Sequence, residues 1–203
     1  TPLRYPGGKS RACKKMEPFF PDLRYYDVYY EPFLGGGSVA LHITKKYPKL
    51  KIVVNDLYEP LYNFWLQLQV NGDYVHSELQ QLKSRFPDRG SARGLFEDAK
   101  EKLYDLDISD KDRAVCFYII NKCSFSGLTE SSSFSEQASD ANFSMRGIDK
   151  LPVYSKLIKD WYITNVDYHH LLGDKEKTFV YLDPPYDIKD NLYGRKGSIH
   201  KKF

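Results

Sequence analysis

Between Tyr26 and Asp56 the chain follows an order that few architectures accommodate. Tyr26 to Tyr30 is a run of β-favouring aromatic and branched residues and reads as a buried strand. Glu31-Pro32-Phe33-Leu34-Gly35-Gly36-Gly37-Ser38 follows, then a helical stretch from about Val39 to Lys46. Lys51 to Val54 is a second strand, ended by Asn55-Asp56. Strand, glycine-rich turn, helix, strand is the layout of an open α/β sheet that brings a nucleotide-like ligand against the backbone amides of a helix start. The dinucleotide spacing G-x-G-x-x-G is not met, so a pyrophosphate-bearing cofactor is not favoured. Asp56 stands about 20 positions beyond the glycines, where such sheets hold ribose hydroxyls, and a carboxylate accepts two of them. The same residue could cap the next helix, but the order strand, acid, helix favours the ribose role.

A second constraint lies near the other end. Phe179-Val180-Tyr181-Leu182 runs directly into Asp183-Pro184-Pro185-Tyr186. Prolines lack the N–H that a central strand donates, so the strand must stop there in a stiff elbow. Ligands bind at the carboxyl ends of such strands. An elbow there offers a carboxylate, backbone carbonyls and a flat ring to one planar substrate. Trp161 to Thr164 reads as a further short strand, which leaves Asp167 and Tyr168 at its carboxyl end. His169 and His170 are taken as surface groups at a helix start.

The remaining stretches break the alternation. Leu3-Arg4-Tyr5-Pro6-Gly7-Gly8-Lys9-Ser10 is a glycine turn closed by a cation, without the P-loop spacing. Leu57 to Val70 reads as a helix, followed by amphipathic segments through Val75–Phe86 and Ala92–Leu106 and by one opened by Ser109-Asp110-Lys111-Asp112. These consecutive helices predict an inserted helical region over 71–150, flanked by a catalytic domain built from 1–70 and 151–203. Asn121 to about Met145 reads as a long polar loop, the kind that is functional or disordered. Asn191 to Phe203 is basic, with Arg195, Lys196, His200, Lys201 and Lys202.

Composition sets the class of molecule. A 203-residue chain with 41% hydrophobic and 28% charged residues is globular, and its net charge of +3 permits a polyanionic partner without requiring one. Seventeen tyrosines are a surplus that serves stacking as well as core packing. Cys13, Cys116 and Cys123 lack metal-ligand spacing and read as free thiols of a reducing cytoplasm, and no metal site is expected. No apolar run approaches the ~20 residues of a membrane span.

Four separated features now stand in one order: Tyr5-Pro6-Gly7-Gly8-Lys9, Glu31 to Gly37, Asn55-Asp56, and Asp183 to Tyr186. In that order the chain resembles the D12-class, Dam-like DNA adenine-N6 methyltransferases. The stretch Asn121–Gly127 is also similar to the Asn-Phe-Asn-Gly segment that begins the family's recognition region, with Ser126 in place of the second Asn. The resemblance implies a Rossmann-like sheet, S-adenosylmethionine (SAM) as donor, and a flipped adenine of double-stranded DNA as acceptor. It further implies that Asp183, Pro184, Pro185 and Tyr186 are catalytic. Tyr5, Gly8, Lys9, Glu31, Pro32, Phe33, Gly35, Gly37, Ser38, Asp56, Asp167, Tyr168 and Asp183 would surround the cofactor. Asn121, Lys122, Ser124, Phe125, Ser126, Arg146, Arg195 and Lys196 would meet DNA. A cognate restriction endonuclease is an expected partner, with no target sequence or oligomeric state implied. The family continues past its Asp-Pro-Pro-Tyr, so the last strands of the sheet are expected to be missing. RNA or a protein amide as acceptor, and a module that binds without turnover, are the competing readings.

Overall fold

The computed structural model describes residues 1–127, 133–170 and 176–184. A short helix, α1 (Cys13–Met16), precedes β1 (Val28–Glu31). Then come α2 (Ser38–Lys46), β2 (Lys51–Asn55) and α3 (Glu59–Val70). Five helices succeed one another: α4 (Gly72–Arg85), α5 (Arg89–Lys102), α6 (Asp110–Cys123), α7 (Glu136–Asn142) and α8 (Met145–Ile148). After α9 (Leu151–Leu157) the chain returns to the sheet in β3 (Tyr162–Thr164) and β4 (Thr178–Val180).

All described strands pair in parallel, in the order β3-β2-β1-β4. Tyr30 lies opposite Val53 and Val180, so the carboxyl ends of β1, β2 and β4 come level. From β1 the chain builds outward to β2 and β3, then crosses to the far side of β1 for β4. Such a reversal leaves a crevice above the strand ends, and ligands of open α/β sheets bind there. This is the mixed α/β, Rossmann-like architecture that the glycine turn and Asp56 predict.

The helices share one continuous core with the sheet. Phe64 and Trp65 of α3 are fully buried, and Phe64 meets Phe117 and Tyr118 of α6 at ring-centroid distances of 5.8 and 6.0 Å. Trp65 meets Trp161, just before β3, at 5.6 Å. Burying side chains of this size is the main stabilising contribution such a fold has.

Local chemistry explains where elements begin. Ser109 caps α6 by accepting from the Asp112 N–H, as the sequence predicts, while its hydroxyl rather than its backbone N–H donates to the Asp112 carboxylate at 2.6 Å. The helix expected from Leu57 starts at Glu59 instead, because Asp56 accepts from the Tyr58 N–H and holds a turn ahead of Pro60. The polar loop expected over 121–145 is corrected more substantially. Asn121 to Cys123 form the last turn of α6, and α7 and α8 follow. Ser135 and Ser144 cap these two helices by accepting from the Ala138 and Gly147 N–H groups. Serines that look like loop composition are here start signals. The helix expected at His169 is a single 3-10 turn, Tyr168–His170.

Candidate active site

Above the strand ends lies a cleft of about 930 Å³, counted out to its open mouth. Its floor is the carboxyl end of β1. Glu31 is 3% exposed, and its carboxyl group accepts from the Tyr29 hydroxyl at 2.7 Å. Burial, with the nearby Asp183 and Asp56 charges adding to it, pushes its pKa up to about 8. Asp56, at the end of β2, is 8% exposed. One of its oxygens accepts from the Gly35 N–H at 2.8 Å and the other from the Tyr58 N–H at 3.0 Å. Burial raises this group to about 6, against the pull of those two bonds. Each oxygen retains a lone pair, so the cap and a ribose contact are compatible.

The glycine turn forms the inner wall. Gly35 and Gly37 have φ of 49° and 65°, the left-handed region that favours glycine. A β-carbon on Gly37 would stand 2.7 Å from the Trp65 ring, and one on Gly35 would stand 2.8 Å from the Tyr5 ring. Trp65 also donates its indole N–H to the Gly35 carbonyl at 3.1 Å. The turn is thus clamped from below by α3 and from above by the N-terminal segment. Ser38 opens α2 directly behind it.

At the mouth, Phe33 and Tyr168 face each other at 5.2 Å between ring centroids. Asp167 beside them accepts from His169 through both its N–H at 3.2 Å and its ring Nδ1 at 2.8 Å. The tip of β4 closes the cleft. Asp183 accepts from the Lys9 ammonium at 2.6 Å, and Lys9 also donates to the Gly7 carbonyl at 2.8 Å. Both side chains are about three-quarters buried, at 25% and 21% exposed.

The structure therefore gathers around one cleft the residues the sequence marks for a cofactor: Tyr5, Gly8 and Lys9 from the first turn, Glu31 to Ser38 from the second, then Asp56, Asp167, Tyr168 and Asp183, with Pro184 beside them. Pro185, Tyr186, Arg195 and Lys196 lie outside the described residues. The expected DNA contacts separate into two groups. Phe125 and Arg146 are exposed, whereas Asn121, Lys122 and Ser124 are buried at 0, 8 and 0%. For Asn121 and Lys122 this corrects the loop placement, since both sit inward on α6. Lys122 places its ammonium 5.2 Å from the Tyr118 ring, and burial pushes its pKa down to about 8. Ser126 belongs to the 3-10 turn Phe125–Gly127.

Two residues have positioning roles that sequence reasoning does not assign. Asn55 donates to the Pro32 and Val166 carbonyls at 3.1 and 3.0 Å and accepts from the Val166 N–H at 3.0 Å, tying three walls of the cleft together. Its place beside Asp56 in a polar pair at a strand end is the one signal available. Trp65 has none, because its partner glycine lies in a different element.

A parallel sheet with a switch-point cleft, buried acids at two strand ends and an Asp-Pro elbow at a third belongs to the open α/β class, whose ligands sit at the strand ends. The family description "D12 class N6 adenine-specific DNA methyltransferase" matches residues 5–201, and the chain belongs to that family. It is 27% identical over 209 residues to the type II methyltransferase M.MjaIII of Methanocaldococcus jannaschii, spanning 91% of this chain and 68% of that protein. It is 23% identical over 214 residues to the modification methylase StsI of Streptococcus sanguinis, spanning 97% of this chain and 30% of that one. Transfer of a methyl group to adenine N6 in DNA is the function this membership carries. Among the described residues no helix is long and apolar enough to cross a membrane.

Proposed function

We propose that this chain binds SAM in the cleft and methylates N6 of an adenine turned out of duplex DNA. The observation that carries the reading is the convergence of Asp183 with Asp56 and the glycine turn on one cleft. The donor set fits SAM chemically. Asp56 suits a ribose diol, the Phe33–Tyr168 pair suits a purine face, and Lys9 suits a carboxylate. SAM supplies a methyl group activated by its sulfonium charge.

The adenine amino nitrogen is a poor nucleophile, because its lone pair is delocalised into the ring. Its two hydrogens need acceptors that pull the nitrogen toward tetrahedral geometry and aim the lone pair. The Asp183 carboxylate and the Pro184 carbonyl supply them. Lys9, donating to that carboxylate at 2.6 Å, orients it before the base arrives, which is the preorganisation that lowers a barrier. The family resemblance assigns Tyr186 to stacking on the ring. A base cannot reach such a site inside a duplex, so it is flipped out. Phe125 and Arg146 face the DNA, with Arg195 and Lys196 supplying further cations for phosphates. A cytoplasmic setting fits the same reading.

Asp183→Ala tests it. Labelled SAM and plasmid DNA should show methyl transfer reduced by at least about a hundredfold, with SAM affinity within a few-fold of the parent protein. Undiminished transfer would refute the role of the elbow.

A further inference from the structure

Asn121 is polar, completely buried and fully engaged. Its side-chain oxygen accepts from the Arg4 N–H at 2.9 Å, and its amide donates to the Arg4 carbonyl at 2.6 Å and to the Gly127 carbonyl at 3.2 Å. A carboxamide offers two donors and a carbonyl acceptor, and here each takes part. The pair of bonds to Arg4 imitates one rung of a strand ladder. Arg4 reinforces the joint by donating from its guanidinium to the Ser124 carbonyl at 3.0 Å. On the other side, Gly127 has φ of 72°, and a β-carbon there would stand 2.6 Å from the Arg4 β-carbon. The joint has no room to slide.

What it joins gives it meaning. Gly127 ends the 3-10 turn after α6, and that turn is fastened by Ser124 bridging to Phe134 and by the Ser135 N–H on the Cys123 carbonyl at 2.8 Å. Arg4 is followed at once by Tyr5, whose ring lies on Gly35, and by the turn in which the Gly8 N–H bonds the Tyr5 carbonyl at 3.0 Å. That turn delivers Lys9 to Asp183. A strap of chain over residues 3–9 therefore runs from the polar segment at the end of α6 to the catalytic carboxylate, and Asn121 is its anchor.

We infer that Asn121 is a positioning residue for methyl transfer, fixing Lys9 on Asp183 by pinning the strap at Arg4. The inference rests on Asp183 being the group that meets the adenine. Asn121 does not touch DNA; it acts through Lys9.

Asn121→Asp is nearly isosteric and replaces both donors with acceptors, so it opens the clasp without a cavity. Single-turnover transfer at saturating SAM and plasmid DNA should fall about tenfold, with the melting profile still cooperative. In a Lys9→Met background the same substitution should cost less than about twofold, because the group it positions is gone. Amide exchange in peptides covering residues 3–13 should accelerate about tenfold. A full repeat of the tenfold loss in the Lys9→Met background, or unchanged exchange over 3–13, overturns the inference. If Asn121→Asp does not fold, Gly127→Ala strains the same clasp from its other side and is read by the same criteria. If the parent chain transfers no methyl group at all, the functional reading fails instead, and the exchange measurement alone decides the clasp.

Discussion

At the scale of single residues, Glu31 is the group whose charge state is most at odds with its surroundings. It is buried beneath the cleft with Asp56 and Asp183 nearby, and among the described residues it forms no ion pair. Its folded pKa of about 8 lies above the ordinary value of 4.5. The stability this contributes is present below pH 4.5 and lost as pH rises toward 8. Asp56 follows the same sign between 3.8 and about 6. At neutral pH Glu31 is therefore largely protonated. A cation entering the cleft favours the carboxylate form and expels that proton. Titration calorimetry of SAM at pH 7 in phosphate and in Tris should give heats that differ by the buffer ionisation enthalpy times a fraction of one proton released. S-adenosylhomocysteine, which lacks the sulfonium charge, should release less. Glu31→Gln should abolish the difference, and a buffer-independent heat for the parent protein would refute this account.

The glycine turn is the element on which the cleft depends, and its tolerance can be argued from its supports. Gly37 sits at φ 65° with the Trp65 ring beneath it. Alanine there meets both the left-handed backbone cost and a contact too close to accept. Gly37→Ala should destabilise the fold by roughly 2–4 kcal/mol, lowering the melting temperature by several degrees. It should weaken SAM binding as well, since relief of the clash moves the wall that Gly35 and Asp56 share. Thermal unfolding with and without SAM measures both effects; an unchanged melting temperature would mean that Trp65 yields freely. This element also marks how far sequence reaches. Glycines after a strand, an acid after the next strand and prolines after a third are local chemistry, and they located the cleft. Trp65 and Asn121 act on partners 28 and 117 positions away, distances across which spacing carries no information. The helices α7 and α8 were hidden for a different reason: they are short, and their serine caps resemble the composition of a loop.

Across the whole molecule the question is whether helices and sheet behave as separate bodies. The alternation of patterns predicts a division at 70/71 and 150/151, with the helical part as an insert. The packing argues that the two parts are energetically one. Phe64 on α3 touches Phe117 and Tyr118 from the middle of α6, across that division, while Trp65 beside it contacts Trp161 within the sheet-bearing part. Separating α6 from α3 would expose several fully buried aromatic rings, each worth about 2–3 kcal/mol of transfer free energy. That sum is comparable with the entire stability of a typical domain, roughly 5–15 kcal/mol. An intermediate with the sheet intact and the helices detached is therefore too costly to accumulate. Unfolding of the 203-residue chain should follow a single transition. Far-ultraviolet circular dichroism reports mainly the helices, and fluorescence of Trp65 and Trp161 reports the seam against the sheet. Their denaturant midpoints should coincide, and SAM should move both together by mass action. Midpoints that separate, with only the fluorescence transition responding to SAM, would make the helical region an independent domain and return the division to the place where the sequence pattern draws it.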